Sequence, residues 1–249
     1  MEQKNSGSVK WIEFDLLADI KKLKHAVFQR HGGCSKGHYD SLNLSHTVGD
    51  QFEDVNKNID AIKKICSIEE LVWAKQCHKQ DIFEATAISN EPPCVDVLVT
   101  NKLQKGLMIT HADCQAAVIY DPINHAVANV HCGWRGSVQN VYRSAIQYMQ
   151  DRYHSKAANL LVCISPSLGP EDAQFINYKT ELPESFWDFQ HRADYFDFWE
   201  ISRMQLRACG VLNKHIEIAG ISTYSQNQDY FSFRRSAVTG RNATVVVLQ

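Results

Sequence analysis

Short apolar runs separated by turn residues make up most of the chain, and their many β-branched residues are typical of strands. Two of these runs, Ala116 to Tyr120 and Ala126 to Val130, flank the turn sequence Asp-Pro-Ile-Asn and predict an antiparallel hairpin. Further strands are predicted twice within residues 9–28 and at Leu71–Ala74, Ile82–Ile88, Asp96–Thr100, Gly106–Thr110, Leu160–Ile164, His215–Gly220 and Ala243–Leu248.

Three segments instead repeat apolar residues with the 3.6-residue period of an amphipathic helix. Gln51 to Cys66 follows a possible N-cap at Asp50, with acids in its first turn and lysines in its last, as the helix dipole favours. Ser137 to Tyr153 and Phe198 to Ala208 are the other two. No repeat or linker divides the chain, so we predict one α/β domain over residues 9–249 after a flexible N-terminus of residues 1–8.

Composition narrows the class of protein without identifying it. Of 249 residues, 44% are hydrophobic and 22% charged, as in ordinary globular proteins, and the formal net charge is −2. Such a balance gives no basic field for nucleic acid or for an acidic membrane surface. The first residues lack the apolar core of a secretory signal, and no apolar run reaches the roughly 20 residues that span a bilayer. We therefore expect a cytoplasmic protein.

Eight cysteines are scattered without the regular spacing of a small disulfide-stabilised protein. We predict that they are reduced thiols, that most are buried, and that at most one or two are chemically active.

The predicted hairpin carries reactive side chains at its open end. Cys114 precedes its first strand and His131 follows its second, so antiparallel pairing would bring them to one edge of the sheet. His78, at the junction of two predicted strands, is a third candidate. Two imidazoles and one thiolate suit zinc, or copper as a competitor, and leave a coordination position open. The spacings of 36 and 17 residues match no compact zinc motif, and His111 is an alternative ligand.

The same three residues support other hypotheses. Cys114 activated by His131 or His78 would be a metal-free nucleophile, as in a cysteine hydrolase. A non-catalytic metal-binding partner protein is another alternative. A four-copper laccase is disfavoured, because none of the 11 histidines forms a His-x-His pair. A standard zinc nucleobase deaminase is disfavoured too, because Pro93-Cys94 lacks the second cysteine of Pro-Cys-x-x-Cys.

Eight motifs, in order over nearly the whole chain, resemble the YfiH/YlmD family, labelled multicopper polyphenol oxidoreductase or laccase-domain proteins and associated with purine nucleoside phosphorylase activity. They are Phe-Gln-Arg-His-Gly-Gly-Cys-Ser-Lys-Gly from Phe28, Ser-Leu-Asn-Leu from Ser41, Gly49-Asp50, Gln-Cys-His to His78, Asp-Val-Leu-Val-Thr from Asp96, Ala-Asp-Cys to Cys114, His-Cys-Gly-Trp-Arg-Gly from His131 and Thr-Gly-Arg to Arg241.

The resemblance implies an α/β/β/α sandwich of mixed sheets with outer helices, similar to the catalytic domain of cytotoxic necrotising factors. It also implies a metal site at His78, Cys114 and His131, which would be the catalytic residues. The chain departs from the family's usual residues at Cys132, at Ser165-Pro166 and at Ser222-Thr223, which affects expectations about loop geometry and substrate preference.

The activities implied are phosphorolysis of adenosine, inosine, guanosine and methylthioadenosine, and deamination of adenosine, with purine nucleosides and inorganic phosphate as partners. A zinc with an open position would activate water for attack at C6 of adenosine. Copper, and hence a copper-dependent polyphenol oxidase, is the alternative. For substrate and phosphate the candidates are Arg30 in a glycine-rich loop, Asn43, and Arg135 near a helix start. No pattern indicates the oligomeric state.

Overall fold

The computed structural model describes residues 1–86 and 91–249, and its two six-stranded sheets pack face to face. The strands are β1 (Glu2–Ser6), β2 (Val9–Glu13), β3 (Leu23–Phe28), β4 (Glu70–Trp73), β5 (Ile82–Glu84), β6 (Val97–Thr100), β7 (Lys105–His111), β8 (Gln115–Asp121), β9 (Ala126–Cys132), β10 (Leu161–Ile164), β11 (Gln190–Arg192), β12 (Tyr195–Phe196), β13 (Ile216–Ile218) and β14 (Asn242–Leu248). The helices are α1 (Asp15–Ala18), α2 (Phe52–Cys66), α3 (Trp134–Gln139), α4 (Val141–Tyr153), α5 (Tyr178–Glu181) and α6 (Phe198–Ala208).

The predicted hairpin is confirmed and lies at the centre of one sheet. That sheet has the order β13-β10-β8-β9-β6-β5, and the other has the order β1-β2-β3-β14-β7-β4. Both are mixed, because β5/β6, β10/β13 and β4/β7 pair in parallel while the other neighbours are antiparallel. In the β8/β9 pair, Ala116 lies opposite His131, so the start of β8 and the end of β9 share one edge.

Alternation along the central strands builds a layered core. On β8, Ala116 and Val118 pack between the sheets, whereas Ala117 and Ile119 face the outer helices α4 and α6. Helix α2 covers the outer face of the other sheet. Since both faces of β8 and β9 are buried, their apolar runs are continuous rather than alternating. The predicted α/β/β/α order of mixed sheets is confirmed.

Three predicted elements differ in the structure. The helix predicted from Ser137 to Tyr153 starts earlier and is interrupted, because Asn140 has a left-handed backbone (φ 57°) that ends α3, and its side chain accepts a hydrogen bond from the backbone N–H of Arg143 to cap α4. The N-terminus expected to be flexible forms the edge strand β1, where backbone pairing with β2 does not depend on apolar side chains. The strand predicted at Ile82–Ile88 is shorter in the structure, where β5 spans Ile82–Glu84. The last two predicted positions lie outside the described residues.

The prediction that all eight cysteines are reduced is wrong for two of them. Cys77 and Cys94 form a disulfide, with their Cα atoms 6.0 Å apart. A local bridge between Lys75 and Cys94 aligns the two segments and brings these cysteines together, which a spacing of 17 residues could not indicate. Cys66, Cys132 and Cys163 are buried free thiols, whereas Cys34, Cys114 and Cys209 are free thiols that are only partly buried. The prediction that most of the cysteines are buried is therefore wrong as well. Among the described residues, no helix is long and apolar enough to cross a membrane.

A buried histidine couples the stability of the first sheet to pH. His25 on β3 accepts a hydrogen bond of 2.7 Å at Nε2 from the backbone N–H of Phe14, and burial lowers its pKa to about 4. Unfolding restores an ordinary pKa near 6.5. The free energy of unfolding should therefore be fully retained above pH ~6.5 and fall by on the order of 3 kcal/mol as the pH drops through this window towards ~4.

Urea unfolding at pH 7.5 and 4.5 would measure this loss. We expect His25→Gln to reduce the difference between the two pH values by about 2–3 kcal/mol, because glutamine can accept the bond from Phe14 without taking up a proton. The share that comes from His111, whose pKa burial also lowers, should remain. The exposed His38→Gln variant serves as the matched control and should keep the wild-type difference. An unchanged difference in His25→Gln would contradict the assignment.

Candidate metal centre between two grooves

His78, Cys114 and His131 converge at the edge of the sheet that contains the hairpin. Their donor atoms all lie within 4.8 Å of one another. Cys114 stands in the turn between β7 and β8, and His131 lies near the end of β9. His78 approaches from the segment between β4 and β5, with its backbone in the left-handed region (φ 58°). The sequence predicted the meeting of Cys114 and His131, whereas the approach of His78 is a property of the fold.

One buried carboxylate holds both histidines. Asp96 is fully buried, and its Oδ1 accepts hydrogen bonds from His131 Nδ1 at 2.8 Å and from the backbone N–H of His78 at 2.9 Å. Its Oδ2 accepts from the backbone N–H groups of Cys77 and Lys79 at 3.1 and 2.8 Å. Because an ionised carboxylate only accepts, His131 donates through Nδ1, which directs Nε2 towards the cluster, where a metal ion would take the place of the Nε2 proton.

The electrostatics of this cluster favour a thiolate. Burial raises the pKa of the Cys114 thiol, but His131 and His78 outweigh this effect and lower the pKa to about 6. Burial lowers the pKa of His131, yet the Cys114 thiolate and the bonded Asp96 carboxylate raise it to about 9. Burial raises the pKa of Asp96, but the hydrogen bonds from His131 and the backbone outweigh burial and lower this pKa overall. The carboxyl group therefore stays ionised.

A glycine permits the close approach of two of these side chains. A Cβ atom at Gly133, which follows β9, would lie 3.0 Å from Cys114 Sγ and 3.0 Å from His78 Cδ2. Both contacts are too short for a substituted residue without movement of the centre. Gln139 on α3 adds a further tie, since its Nε2 donates a 3.1 Å hydrogen bond to the carbonyl oxygen of His78.

The donor set fits a metal ion such as zinc. Zinc bonds of ~2.3 Å to sulfur and ~2.0–2.1 Å to nitrogen place two ligand atoms of a tetrahedral site ~3.3–3.6 Å apart. Cys114 Sγ lies 4.0 Å from His78 Nε2, so a small inward shift of side chains suffices. Two imidazoles and a thiolate also suit copper. Three ligands would leave a position for water or substrate.

Two grooves, each of about 440 Å³, meet at this centre and share His78, Ala112, Cys114 and Phe233 as a common wall. This volume is within the range of small-molecule sites. We call the first the polar groove; its lining includes Ser45, Thr47, Lys75, Gln76, His111 and Arg241. We call the second the aromatic groove; its lining includes Trp134, Arg135, Leu168, Phe175, Phe198 and Arg234.

The residues expected to bind substrate or phosphate have different locations. Arg135 lines the aromatic groove within the first turn of α3, and its guanidinium lies over the ring of Trp134 at 4.2 Å. Arg30 lines neither groove, because its guanidinium donates to the carbonyl oxygens of Asp40 and Asn227. Asn43 is fully buried beneath the polar groove. The alternative ligand His111 is outside the metal-binding cluster, and its Nε2 bonds to Thr244 Oγ1 at 3.0 Å.

Sequence reasoning missed three residues of this region. Asp96 was treated as the start of a strand, although an acid directly before a fully apolar strand was the available signal. Arg241 was one of several arginines near the last strand. Phe233 stands on the wall between the grooves with 53% of its surface exposed. Arg241 ends one of the eight motifs, but that motif by itself assigns no role to it, and Phe233 belongs to no motif.

The fold and the site together define an α+β sandwich protein with a candidate His-Cys-His metal centre. The chain belongs to the family described as multi-copper polyphenol oxidoreductase laccase, whose sequence profile matches residues 24–249, and within it to the YfiH/YlmD group.

Named relatives match almost end to end. A purine nucleoside phosphorylase of Bacteroides thetaiotaomicron is 30% identical over 90% of this chain and 91% of its own. Purine nucleoside phosphorylase YlmD of Geobacillus stearothermophilus is 30% identical over 85% of both chains. The crystal structure of YlmD from Geobacillus stearothermophilus has a TM-score of 0.89 at 26% identity, covering 99% of this chain and 98% of that one. A Bacillus licheniformis protein, YfiH, has the same fold (TM-score 0.88, 22% identity, 99% of both chains).

Asp96→Asn should weaken metal binding by ~10- to 100-fold, the usual effect of losing the carboxylate partner of a metal-binding histidine. An asparagine NH₂ group in place of either oxygen would face two N–H donors, and the negative charge beside His131 would be lost. The measurement is competition for Zn²⁺ with a chromophoric chelator.

Asp121→Asn is a matched control, since Asp121 is an equally buried carboxylate that accepts backbone N–H bonds at the closed end of the hairpin. It should keep the wild-type affinity. A folded Asp96→Asn protein that binds Zn²⁺ as tightly as the wild type would rule out the proposed role.

Proposed function

We propose that this protein is a zinc-dependent purine nucleoside phosphorylase acting on adenosine, inosine, guanosine and methylthioadenosine, and that it also deaminates adenosine. The observation that carries the proposal is the His78, Cys114 and His131 cluster in the wall shared by two grooves of small-molecule size. The names of the relatives support a nucleoside and phosphate as substrates.

The aromatic groove suits the purine. Trp134, Phe175, Phe198 and Phe233 offer ring faces and edges to a flat heterocycle, and such contacts are favourable beyond the area they bury. Phe233 also reaches the polar groove, so a base lying against it would place its ribose beside Cys114 and His78. The family's substrates share this flat purine and differ at its substituents and at the 5′ position of the ribose.

The two reactions use different nucleophiles at the same centre, phosphate in phosphorolysis and water in deamination. In phosphorolysis a phosphate oxygen bonds to ribose C1′ while the C1′–N9 bond breaks, and the electron pair leaves with the purine. In deamination a water oxygen bonds to C6 while the bond between C6 and the amino nitrogen breaks, and the amino group leaves as ammonia. A divalent metal held by His78, Cys114 and His131 would supply Lewis-acid activation at neutral pH. Asp96 fixes the His131 ring through the 2.8 Å hydrogen bond to Nδ1.

A second candidate is a metal-free cysteine hydrolase. The Cys114 pKa of about 6 and the Cys114–His131–Asp96 series resemble the arrangement of a thiolate nucleophile, its base and the group that orients the base. Chelation separates the alternatives, since a metal-free hydrolase would keep its activity. A copper-dependent polyphenol oxidase and a non-catalytic metal-binding protein make different predictions in the same assay.

The test is to incubate metal-quantified protein with adenosine, with and without phosphate, and to identify the products by chromatography. Adenine and ribose 1-phosphate should form only with phosphate, and inosine should form in both samples. Release of neither base nor ammonia by a protein with one bound metal would favour the non-catalytic alternative. Phenol oxidation restricted to copper-loaded protein would favour the oxidase.

Cys114→Ala and His131→Ala should each reduce kcat/KM for both reactions by at least ~10³-fold, as expected when a ligand essential for metal activation is removed. Cys209→Ala, which changes a free cysteine outside both grooves, is the control and should stay within about twofold of the wild type, as a substitution remote from the site should. Wild-type turnover in folded Cys114→Ala would overturn the proposal.

A further inference from the structure

The two grooves differ in charge as well as in shape. The polar groove is lined by two cationic side chains, Arg241 and Lys75, and none of its described lining residues is an aspartate or glutamate. The aromatic groove contains Arg135 and Arg234 together with Asp113. A groove with two cationic side chains and no carboxylate in its lining is suited to an anion, even beside the Cys114 thiolate. The contacts that each cation already makes therefore decide the assignment.

Arg241 is held by only part of its guanidinium group. Its Nη1 donates to the carbonyl oxygens of Thr239 and Gly240 at 2.9 and 3.1 Å. Over the described ranges 1–86 and 91–249, Nε and Nη2 have no hydrogen-bond partner, and no carboxylate lies within 4.0 Å of the group. Half-buried guanidinium groups are normally paired, because desolvation of a charge is costly. The free edge of Arg241 therefore lacks a partner that an anion would supply.

The other arginines near the centre are either engaged or exposed. Arg234 donates to the carbonyl oxygens of Asp172 and Gln174 at 3.0 and 3.3 Å. Arg135 is exposed and lies over the Trp134 ring, so water can solvate its donors. Asp113 is engaged too, since its carboxylate accepts hydrogen bonds from Thr223 Oγ1 and the backbone N–H of Arg234. Arg241 differs from both arginines in having free donors on a half-buried guanidinium group.

Neutral polar groups complete the polar groove. Ser45 and Thr47 line it with hydroxyl groups 3.0 Å apart. His111 is 1% exposed, and its Nδ1 has no hydrogen-bond partner within the described part of the chain. Burial, with His131 and Arg241 nearby, lowers the pKa of His111 to about 3, so its ring is neutral. A phosphate or a ribose hydroxyl would meet both donors and acceptors here.

The backbone of Arg241 is fixed in place by a residue that sequence reasoning assigned to substrate. The Asn43 side chain accepts a 2.9 Å hydrogen bond at Oδ1 from the backbone N–H of Arg241, and the backbone N–H of Leu44 donates to the carbonyl oxygen of Arg241. Gly240 packs so closely on Phe231 that an added Cβ would lie 2.7 Å from the ring. These contacts fix the backbone position of Arg241. A specific binding site requires side chains that are held in place in this way.

We propose that Arg241, assisted by Lys75, forms the subsite for inorganic phosphate in the polar groove, across the His78–Cys114 wall from the purine. The assignment rests on the proposed function, and it places the two reactants on opposite sides of the centre. That arrangement lets phosphate approach ribose C1′ from the side away from the departing base. In this proposal Arg241 and Lys75 bind phosphate, instead of the Arg30 and Arg135 expected from the sequence.

The experiment compares Arg241→Gln, Arg241→Lys and Lys75→Gln in the metal-loaded protein. Arg241→Gln should raise KM for phosphate by ~10- to 100-fold, the range of a lost charge-assisted hydrogen bond, with KM for inosine changed less than about twofold. Arg241→Lys should recover only part of the loss, because it keeps the charge and loses the planar donors. Calorimetric titration with inorganic phosphate alone should show the same order of affinities.

A matched control lies close by. Lys79→Gln removes an exposed lysine that lines neither groove, and it should leave KM for phosphate within about twofold of the wild type. Arg135→Gln is the competing variant, because it removes the exposed arginine of the aromatic groove, and its KM for phosphate should rise less than that of Arg241→Gln. A large rise in Arg135→Gln with no change in Arg241→Gln would overturn the assignment. If Arg241→Gln fails to fold, an unchanged phosphate affinity in both Arg241→Lys and Lys75→Gln would overturn it.

The calorimetric measurement separates this proposal from the proposed function. A wild-type protein that binds phosphate and loses that binding in Arg241→Gln, yet releases no base from any nucleoside, would retain the anion site and refute phosphorolysis. A protein that catalyses phosphorolysis with the same phosphate affinity in wild type and Arg241→Gln would refute the subsite alone.

Discussion

The carboxylate of Asp96 is the contact on which the candidate site depends. It is fully buried, yet it accepts four hydrogen bonds, three from consecutive backbone N–H groups and one from His131. A buried charge is costly unless its lone pairs are satisfied, and here both oxygens are. The same bonds fix the left-handed turn that carries His78 and the ring orientation of His131, so one side chain sets the geometry of two metal donors.

The sandwich determines where that carboxylate can act. Asp96 directly precedes β6, which pairs with β9, and the backbone N–H of His131 donates to the Asp96 carbonyl oxygen at 2.7 Å. The two sheets are tied together at the same level by Asn129, whose side chain donates to the carbonyl oxygens of Leu107 and Thr244 in the opposite sheet. The centre therefore lies on rigid strands, which suits a site that must hold its donors in fixed positions.

Arginines near the centre serve two different purposes. Arg30, Arg234 and Arg235 donate to backbone carbonyl oxygens and hold loops, including the segment that presents Phe233. Arg241 alone of these four lines the polar groove, and part of its guanidinium remains free. The difference lies in the surroundings rather than in the residue type. A cluster of arginines in a sequence therefore does not by itself identify an anion site.

The sequence by itself determined the central hairpin, two of the helices and half of the centre. Continuous apolar runs, helical periodicity and a turn between two strands were enough for the hairpin, for helices α2 and α6 and for the edge shared by Cys114 and His131, because these features arise from neighbours along the chain. His78 was a candidate from its place at a strand junction, and the eight motifs supported it and added the layer order through resemblance.

Only the tertiary structure decided what joins distant segments. Asp96 meets His78 and His131 across separations of 18 and 35 residues, Cys77 meets Cys94, and Asn43 meets Arg241 across 198. Sheet order, not local pattern, creates these contacts, since β14 pairs between β3 and β7 and so carries Arg241 to the groove. The chemistry of single residues could be predicted from the sequence. Which of these residues form ion pairs and hydrogen bonds with one another could not.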